Sequence, residues 1–258
     1  MRLLLVLFLF VPFLVYAQGN DTVSAEVKEV WELIREHSFE KERKIVEKTK
    51  DELKPLIKKL CNAIEKDPFG FHNYWKSGHE KYIRSLKPSE QMNHPAKQYY
   101  ELRSEIDKAY GQNFSAIIFM PFYVKITITK LDSIVTFYKH ARKFLMNAIT
   151  GRVDEVIRGE YFIKVGDTIN ILYSPEWFME PGDWVRIKEG MTCFVPMCVY
   201  ADNPNFYLTS FNDKIGLFPI INGNIEDENN SFGLGKITSW SQFKDNFTNK
   251  FTFRILGL

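Results

Sequence analysis

The sequence predicts an α+β fold in which an N-terminal helical region is followed by a small antiparallel β-barrel. In the first part of the chain, apolar residues recur about every three to four positions, which is typical of amphipathic helices. From residue 148 onward, short runs alternate apolar and polar residues and are separated by Gly, Pro or Asp. That second pattern indicates sequential antiparallel strands.

The helical region is expected to cover residues 18–112. Pro55 interrupts its second segment, so the helix either kinks there or a new helix begins. Gly111 is expected to end the last helix. The apolar stripes that predict the four helices are Val27, Val30, Trp31 and Ile34; Val46, Thr49, Leu53, Leu56, Leu60 and Ile64; Trp75, His79, Tyr82 and Leu86; and Tyr99, Leu102, Ile106 and Tyr110.

Residues 113–147 are expected to connect the helices to the barrel through a strand and a helix. Tyr123–Thr129 alternates strictly between apolar and polar residues, which predicts the strand. Lys130–Met146 returns to helical spacing, which predicts the helix.

The β-barrel domain is expected to cover residues 148–258. Its first three runs place Tyr161, Ile163 and Val165 on one face, then Ile169, Ile171 and Tyr173, then Val185 and Ile187. The later elements are expected to be strands at Thr192–Tyr200, Asn205–Phe211 and Gly216–Ile221, a polar loop at Asn222–Gly235, a short helix through Trp240, Phe243 and Phe247, and a last strand through Phe251, Phe253 and Ile255.

Composition restricts the class of protein. Hydrophobic residues make up 45% of the chain, enough to bury a substantial core, which excludes wholesale disorder. The formal net charge is only +2, whereas a general nucleic-acid binder carries a marked basic excess. No nucleic-acid partner is therefore expected.

The N-terminus predicts export. Arg2 precedes the apolar run Leu3–Val15, and Val15-Tyr16-Ala17 is an acceptable cleavage site, so residues 1–17 are interpreted as a signal peptide. The alternative is an uncleaved membrane anchor, but the run is shorter than the roughly 20 residues of a spanning helix. The protein is therefore expected to be secreted or extracellular, without a stable membrane span.

Glycosylation is expected because Asn-x-Ser/Thr sequons behind a signal peptide are credible acceptors on the protein surface. The sequons are at Asn20, Asn113, Asn229 and Asn246. Of the four, Asn246 has the most apolar neighbours, namely Phe243, Phe247 and Phe251.

The three cysteines, Cys61, Cys193 and Cys198, allow at most one internal disulfide. A Cys193–Cys198 disulfide would close a short loop with Pro196 at its bend, and this local bridge is preferred because it needs no long-range geometry. The alternative joins Cys61 to either of the other two and would tie the two halves of the chain together.

Motifs of enzymes and cofactor sites are missing from the sequence, so neither a catalytic residue set nor a cofactor is predicted. His72 and His79 do not match a zinc-ligand spacing, and core or packed-edge roles are favoured for them. A cysteine nucleophile is an alternative, but nothing around Cys193 or Cys198 resembles a protease signature. Paired carboxylates such as Asp154-Glu155 are better explained as solvated turns than as an acid/base pair. A calcium loop would have Asn222, Asn224, Glu226 and Glu228 as ligands, but it lacks an EF-hand pattern.

Three aromatic residues are candidate binding anchors. Trp177 and Phe178 follow one strand of the barrel and Trp184 begins the next. Aromatic side chains concentrate in binding hot spots, so we predict that these three contact a partner. The alternative is that they fill the end of the barrel core.

Residues 148–255 resemble the secreted OB-barrel modules of the netrin-like class, to which the tissue inhibitors of metalloproteinases belong. The resemblance is carried by Ile149–Val153, Tyr161–Tyr173 and Pro181–Trp184, followed by the cysteine-bearing strand and Asn205–Phe211. It implies an OB-like barrel in a secreted protein-binding module.

The chain departs from that family in two respects. The inhibitors chelate the protease zinc with an N-terminal cysteine, whereas this mature chain would begin Gln18-Gly19. The family's dense disulfides are also missing. The resemblance therefore implies protein binding, but not protease inhibition by that route.

Together these patterns predict a secreted, non-enzymatic protein that binds an extracellular protein or glycan through its barrel loops. The alternatives are a carrier that encloses an apolar small molecule in the helical region, and a secreted hydrolase of unrecognised type.

Overall fold

A computed structural model of the protein describes residues 23–44, 49–71, 95–139, 142–173, 187–199, 205–209 and 216–251. Ahead of the first strand, the described residues form α1 (Ala25–Lys44), α2 (Lys50–Lys66), α3 (Pro95–Tyr110) and the short α4 (Phe114–Ile118). A further helix, α5 (Trp240–Phe251), follows the last strand. The prediction of a mixed fold with its helices mostly N-terminal is confirmed.

The apolar stripes of the N-terminal helices pack against one another as their spacing predicts. The buried stripe residues are Val27, Val30, Trp31, Ile34, Leu53, Leu60, Ile64, Leu102 and Ile106. A capping box between Thr49 and Glu52 begins α2, which then continues through Pro55, so a new helix does not begin at that proline. Gly111 ends α3 with a φ of +113°, as expected. The predicted helix of Trp75–Leu86 lies outside the described residues.

In the part of the chain that the structure describes, eight strands follow the N-terminal helices. They are β1 (Phe122–Lys139), β2 (Arg142–Arg158), β3 (Thr168–Tyr173), β4 (Thr192–Val199), β5 (Tyr207–Leu208), β6 (Phe218–Ile221), β7 (Asn224–Glu226) and β8 (Ile237–Ser239). Five of them close into a barrel in the order β1-β2-β3-β5-β4, because β4 pairs with β1 as well as with β5. β6, β7 and β8 extend the sheet beyond β4.

The prediction of a wholly antiparallel barrel is wrong, because β3 and β5 run parallel. The other pairs of the barrel are antiparallel. A closed ring with an odd number of strands cannot alternate its direction all the way round, so one neighbouring pair must be parallel. Ile171 of β3 is opposite Tyr207 of β5 at that pair.

The predicted helix of Lys130–Met146 is also wrong, because Lys130–Lys139 belongs to β1 and Arg142–Met146 belongs to β2. The two strands form one long hairpin whose register runs from Tyr123 opposite Arg158 to Lys139 opposite Arg142. Cross-strand pairing here overrides a helical spacing that contained several β-branched residues. The barrel therefore begins at Phe122, ahead of the boundary expected at residue 148.

The predicted strand of Glu160–Val165 is a turn. β2 extends to Arg158, after which Gly159 has a φ of +96° and a Cβ there would lie 2.4 Å from Cδ1 of Phe122. In this turn Ile163 is buried, whereas Tyr161 and Val165 are 72% and 66% exposed. The three residues therefore do not share a face.

The remaining barrel predictions have mixed outcomes. Strands are confirmed at β3, β4 and β6, and the helix through Trp240, Phe243 and Phe247 is confirmed as α5. Phe251 ends α5 and does not begin a strand. Val185, Phe253 and Ile255 lie outside the described residues.

The segment Asn222–Gly235 contains a β-hairpin that was predicted as loop. Asn222 and Gly223 have φ angles of 50° and 78°, and they join β6 to β7. Two residues with positive φ between paired strands match the turn that Asn-Gly favours. Asp227 then organises the following turns, because its Oδ2 accepts a hydrogen bond from the backbone N–H of Phe232 at 3.1 Å.

The described residues form two apolar cores. One fills the barrel, and its fully buried members include Phe122, Val124, Ile126, Ile171, Cys193 and Val195. The other joins the N-terminal helices, the outer surface of the barrel and α5. Phe194 is central to the second core, with ring contacts to Tyr123, Phe243 and Phe247 at centroid distances of 5.6, 5.2 and 5.5 Å.

Arg158, the last residue of β2, joins three elements at once. Its Nη1 donates hydrogen bonds to the carbonyl oxygens of Ile117, Ile118 and Met120 at 3.4, 2.9 and 3.1 Å. Its Nη2 donates to the carbonyl of Phe251, at the end of α5, at 2.7 Å. The guanidinium also lies over the ring of Tyr123, 5.3 Å from the centroid.

Glu155, on the outer surface of β2, holds α5 against the barrel. Its carboxylate accepts hydrogen bonds from Lys244 Nζ at 2.7 Å and from Trp240 Nε1 at 3.1 Å. Burial by itself would raise the pKa of Glu155, but these two bonds and the positive charge of Lys244 outweigh it, so the pKa lies below its ordinary value.

We predict that Arg158→Met lowers the free energy of unfolding by about 2–4 kcal/mol, because several carbonyl groups lose a charged donor. Urea denaturation monitored by circular dichroism measures the change. Arg152→Met is the matched control on the same strand, where the arginine is exposed, and it should change stability by less than about 0.5 kcal/mol. Equal losses in the two variants would contradict the role of Arg158.

We predict that Glu155→Gln costs about 1 kcal/mol at neutral pH. Since folding lowers the pKa of Glu155, its contribution is fully present above the ordinary pKa of 4.5 and is lost as the pH falls through the folded-state pKa. Urea denaturation from pH 7 to pH 3 should therefore bring the native and variant curves together. Glu160→Gln, at an exposed turn, is the control, and a Glu155→Gln deficit that persists at low pH would contradict the assignment.

Candidate binding site

The predicted anchors Trp177, Phe178 and Trp184 lie outside the described residues, but the structure describes both ends of the loop that carries them. β3 ends at Tyr173, which is opposite Asn147 of β2. On the return, Gly190 N–H donates to the carbonyl of Ile128, and Ile128 N–H donates to the carbonyl of Met191, both at 2.8 Å. Both ends of the loop are therefore attached to the β1–β2 hairpin where it leaves the barrel. We call this end of the barrel the hairpin end.

The opposite end of the barrel is closed by apolar side chains next to the helices. Ile163 is fully buried there, and the ring of Phe162 lies 6.1 Å from those of Phe122 and Phe69, measured between centroids. Phe69 precedes Phe71, which stacks on Trp31 of α1 at 5.2 Å. The helical layer thus covers this end.

The cysteines do not form the predicted disulfide. Cys193 and Cys198 both lie in the extended strand β4, five positions apart, which separates their Cα atoms by about 16 Å. A disulfide needs Cα atoms within about 7 Å. All three cysteines are free thiols in the structure, so the prediction of a Cys193–Cys198 disulfide is wrong.

The thiols are also poorly suited to nucleophilic catalysis. Burial raises the pKa of Cys61, Cys193 and Cys198 to about 12 in each case. At neutral pH they are protonated, whereas a cysteine nucleophile reacts as the thiolate. Cys61 and Cys193 are instead members of the two apolar cores.

A buried histidine has a partner that the sequence did not reveal. His37 Nε2 of α1 lies 2.7 Å from Glu105 Oε2 of α3, and both side chains are buried. The two residues are 68 positions apart in the chain. Helical periodicity would have placed both residues near the apolar stripes, but their pairing depends on how the two helices are aligned. His72, His79, His94 and His140 lie outside the described residues.

The carboxylates considered for chemistry have structural partners. Asp154 accepts hydrogen bonds from Thr127 and Arg152 on the barrel surface, and Glu155 binds α5. Within the residues that the structure describes, no group of three or more His, Cys, Asp or Glu side chains is arranged to hold a metal ion. Nor does any described helix have the length and apolar character needed to cross a bilayer.

The sequons differ in their surroundings. Asn229 is exposed in the turn after β7, and Asn246 is exposed on α5, on the side away from the buried Phe243 and Phe247. Asn113 is half-buried, and its Nδ2 donates to the carbonyl of Ser231 at 3.3 Å. Asn20 lies outside the described residues.

We predict that Cys61 and Cys193 react with a soluble disulfide reagent only after the protein is unfolded, because burial excludes the reagent and suppresses the thiolate. Cys198 is only half-buried, but its raised pKa suppresses the thiolate, so it should react slowly before unfolding. Thiol titration with and without guanidinium chloride measures this. Mass spectrometry of the unfolded, alkylated protein should show three modified cysteines without prior reduction. A single modified cysteine that becomes three after reduction would instead reveal a disulfide.

No protein-family model and no curated protein matches this chain.

Proposed function

We propose that the protein is a secreted, non-enzymatic binding protein that recognises an extracellular protein or glycan through the hairpin end of its barrel. The observation that supports this proposal is that the loop of Trp177, Phe178 and Trp184 is attached at both ends to the β1–β2 hairpin. The hydrogen bonds of Gly190 and Met191 to Ile128 join one end to β1, and the Tyr173–Asn147 pairing joins the other to β2.

Attachment to a rigid scaffold supports binding for a physical reason. A partner that orders a free loop loses part of its affinity to the entropy of ordering that loop. A loop held at both ends by paired strands has fewer conformations to lose, and barrel loops commonly carry recognition residues. Aromatic side chains bury a large area with few rotatable bonds, which suits them as anchors.

The barrel itself is proposed to be OB-like, in keeping with the resemblance to netrin-like modules. A closed barrel of five strands, in which β1 pairs with both β2 and β4, supports this proposal. Secretion and glycosylation stay proposals that rest on the signal peptide and the sequons, of which Asn229 and Asn246 are exposed.

The packing of the described helices favours this function over the carriage of an apolar molecule. Ile34 of α1 and Ile57 and Leu60 of α2 are fully buried in a core that also takes in α5 and the outer surface of the barrel. The apolar stripes are thus used in packing between elements. A carrier would need part of that surface to line a cavity.

We predict that the triple variant Trp177→Ala/Phe178→Ala/Trp184→Ala folds but captures its partner at least about tenfold less efficiently, because interface aromatics carry much of the binding energy. The measurement is affinity capture from extracellular fluid of the source, with the bound material quantified by mass spectrometry and glycan analysis.

The matched control is Tyr100→Ala/Tyr161→Ala, which removes two rings that are 57% and 72% exposed elsewhere on the surface. It should retain capture. Far-UV circular dichroism and thermal unfolding accompany each variant. If the triple variant fails to fold, the three aromatics belong to the core, and if it folds and captures normally, the loop is not the binding site.

A further inference from the structure

The outer face of α3 carries a groove of about 540 Å³. The α3 residues that line it recur at helical spacing on the side of the helix opposite the buried Leu102 and Ile106, so they form one continuous stripe. A volume of this size lies within the range of small-molecule sites. The lining residues are Tyr100, Arg103, Ser104, Asp107 and Lys108 of α3, with Gln112 of the turn that follows.

Two contacts hold the side chain of Arg103 in place at the groove. Its Nε donates a hydrogen bond to Oγ of Ser115 at 3.2 Å, and its guanidinium lies over the ring of Tyr99, 5.9 Å from the centroid. Ser115 is fully buried in α4, so the hydroxyl is a fixed anchor. These contacts restrict the arginine before a ligand arrives, which lowers the entropy lost on binding.

The guanidinium of Arg103 keeps one edge for a ligand. The carboxylate of Asp107 is bound by Ser115, whose backbone N–H donates to Oδ1 at 2.6 Å and whose hydroxyl donates to Oδ2 at 3.0 Å. Among the residues that the structure describes, Nη1 and Nη2 of Arg103 have no hydrogen-bond partner. Since Nε is used by Ser115, the Nη1–Nη2 edge is the part that can bind both oxygens of one carboxylate.

The charges of the groove favour a monoanion. Its lining contains the two cations Arg103 and Lys108 and one carboxylate, Asp107, which gives a net charge of +1. A carboxylate matches this charge, and its two oxygens match the planar edge of the guanidinium. A phosphate dianion would carry more negative charge than the groove offsets, and Asp107 would repel it.

The other lining residues suit a sugar ring better than an apolar chain. Tyr100 is 57% exposed, so its ring can cover the C–H groups on one face of a sugar. The Ser104 hydroxyl and the Gln112 amide are exposed and can exchange hydrogen bonds with sugar hydroxyls. An apolar ligand would cover these polar groups without giving them partners.

We infer that the groove binds a carboxylated monosaccharide, of the sialic acid or uronic acid class, with its carboxylate on the Nη1–Nη2 edge of Arg103. The groove shares no residue with the loop of Trp177, Phe178 and Trp184, so this site goes beyond the proposed function and does not depend on it. One charged contact and a few neutral ones give a dissociation constant on the order of 1 mM. A ligand held so weakly is lost during affinity capture, so removal of Tyr100 leaves capture through the loop unchanged.

The probe is N-acetylneuraminic acid, and its dissociation constant is measured by NMR chemical-shift titration of the isotope-labelled protein. Arg103→Lys keeps the positive charge but lacks the planar edge, so it should bind the probe at least about tenfold more weakly than the native protein. Arg152→Lys makes the same change at an exposed arginine of β2 and is the matched control. It should retain the native affinity.

Ser104→Glu is a second variant that leaves the contacts of Arg103 with Ser115 and Tyr99 in place. It puts a carboxylate into the groove from an exposed position of α3, so repulsion of the probe should weaken binding at least about tenfold. This variant tests the site even where Arg103→Lys disturbs the packing of α4. Far-UV circular dichroism should show each variant folded.

Several results would overturn the inference. These are an unchanged affinity in both Arg103→Lys and Ser104→Glu, equal binding of the methyl ester of the probe, which lacks the negative charge, and binding of acetate or inorganic phosphate as tight as that of the probe. Tight acetate binding would show that the sugar ring adds nothing. The aromatic triple variant of the loop should bind the probe like the native protein, and a loss there would place the sugar site at the loop.

Discussion

The side chain of Arg158 is the contact on which the arrangement of helices and barrel depends. It stands at the end of β2, where the chain leaves the barrel surface, and its planar guanidinium reaches the carbonyls at the end of α4 and at the end of α5. Helix C-termini carry unsatisfied carbonyls and a partial negative charge, so a fixed cation stabilises both ends together. Tyr123 completes the junction, because its hydroxyl donates to the carbonyl of Ile117 at 2.8 Å while its ring lies under the guanidinium. A lysine could supply the charge but not the planar array of donors.

A second constraint is that the barrel is buried on both of its surfaces along β4. Val195 lies inside the barrel and Phe194 lies outside it, yet both are fully buried, because α5 and its aromatic residues cover the outer surface. Such strands read as continuous apolar runs and not as alternating ones. The outer layer also gives the protein one core that spans the helices, α5 and the barrel surface. The helical region and the barrel therefore stabilise each other through shared apolar contacts as well as through Arg158.

The two ends of the barrel differ in role: one end is used in packing, and the other is the proposed binding surface. One end of the barrel is closed by Phe162 and Ile163 and lies next to the helices, so its residues are used in packing. At the hairpin end, β1 and β2 continue past the strands that close the barrel, and both ends of the aromatic loop are attached to them. We propose that the recognition surface is at this end, because loops attached to a barrel commonly carry binding residues.

The sequence by itself determined the elements whose pattern is local. The stripe of Val27, Val30, Trp31 and Ile34, the end of α3 at Gly111 and the alternation of Tyr123–Thr129 all follow from side-chain periodicity and from the conformational freedom of glycine. Asn222-Gly223 is also a local signal for a hairpin turn, but the polar residues around it favoured the prediction of a loop. Only the tertiary structure decided the features that depend on distant partners. Lys130–Lys139 and Arg142–Met146 are strands because the two halves of the hairpin pair with each other. β3 and β5 are parallel because five strands close a ring, and Cys193 and Cys198 are far apart because β4 is extended. His37 and Glu105 met through the alignment of two helices, 68 residues apart in the chain, which no local pattern specifies.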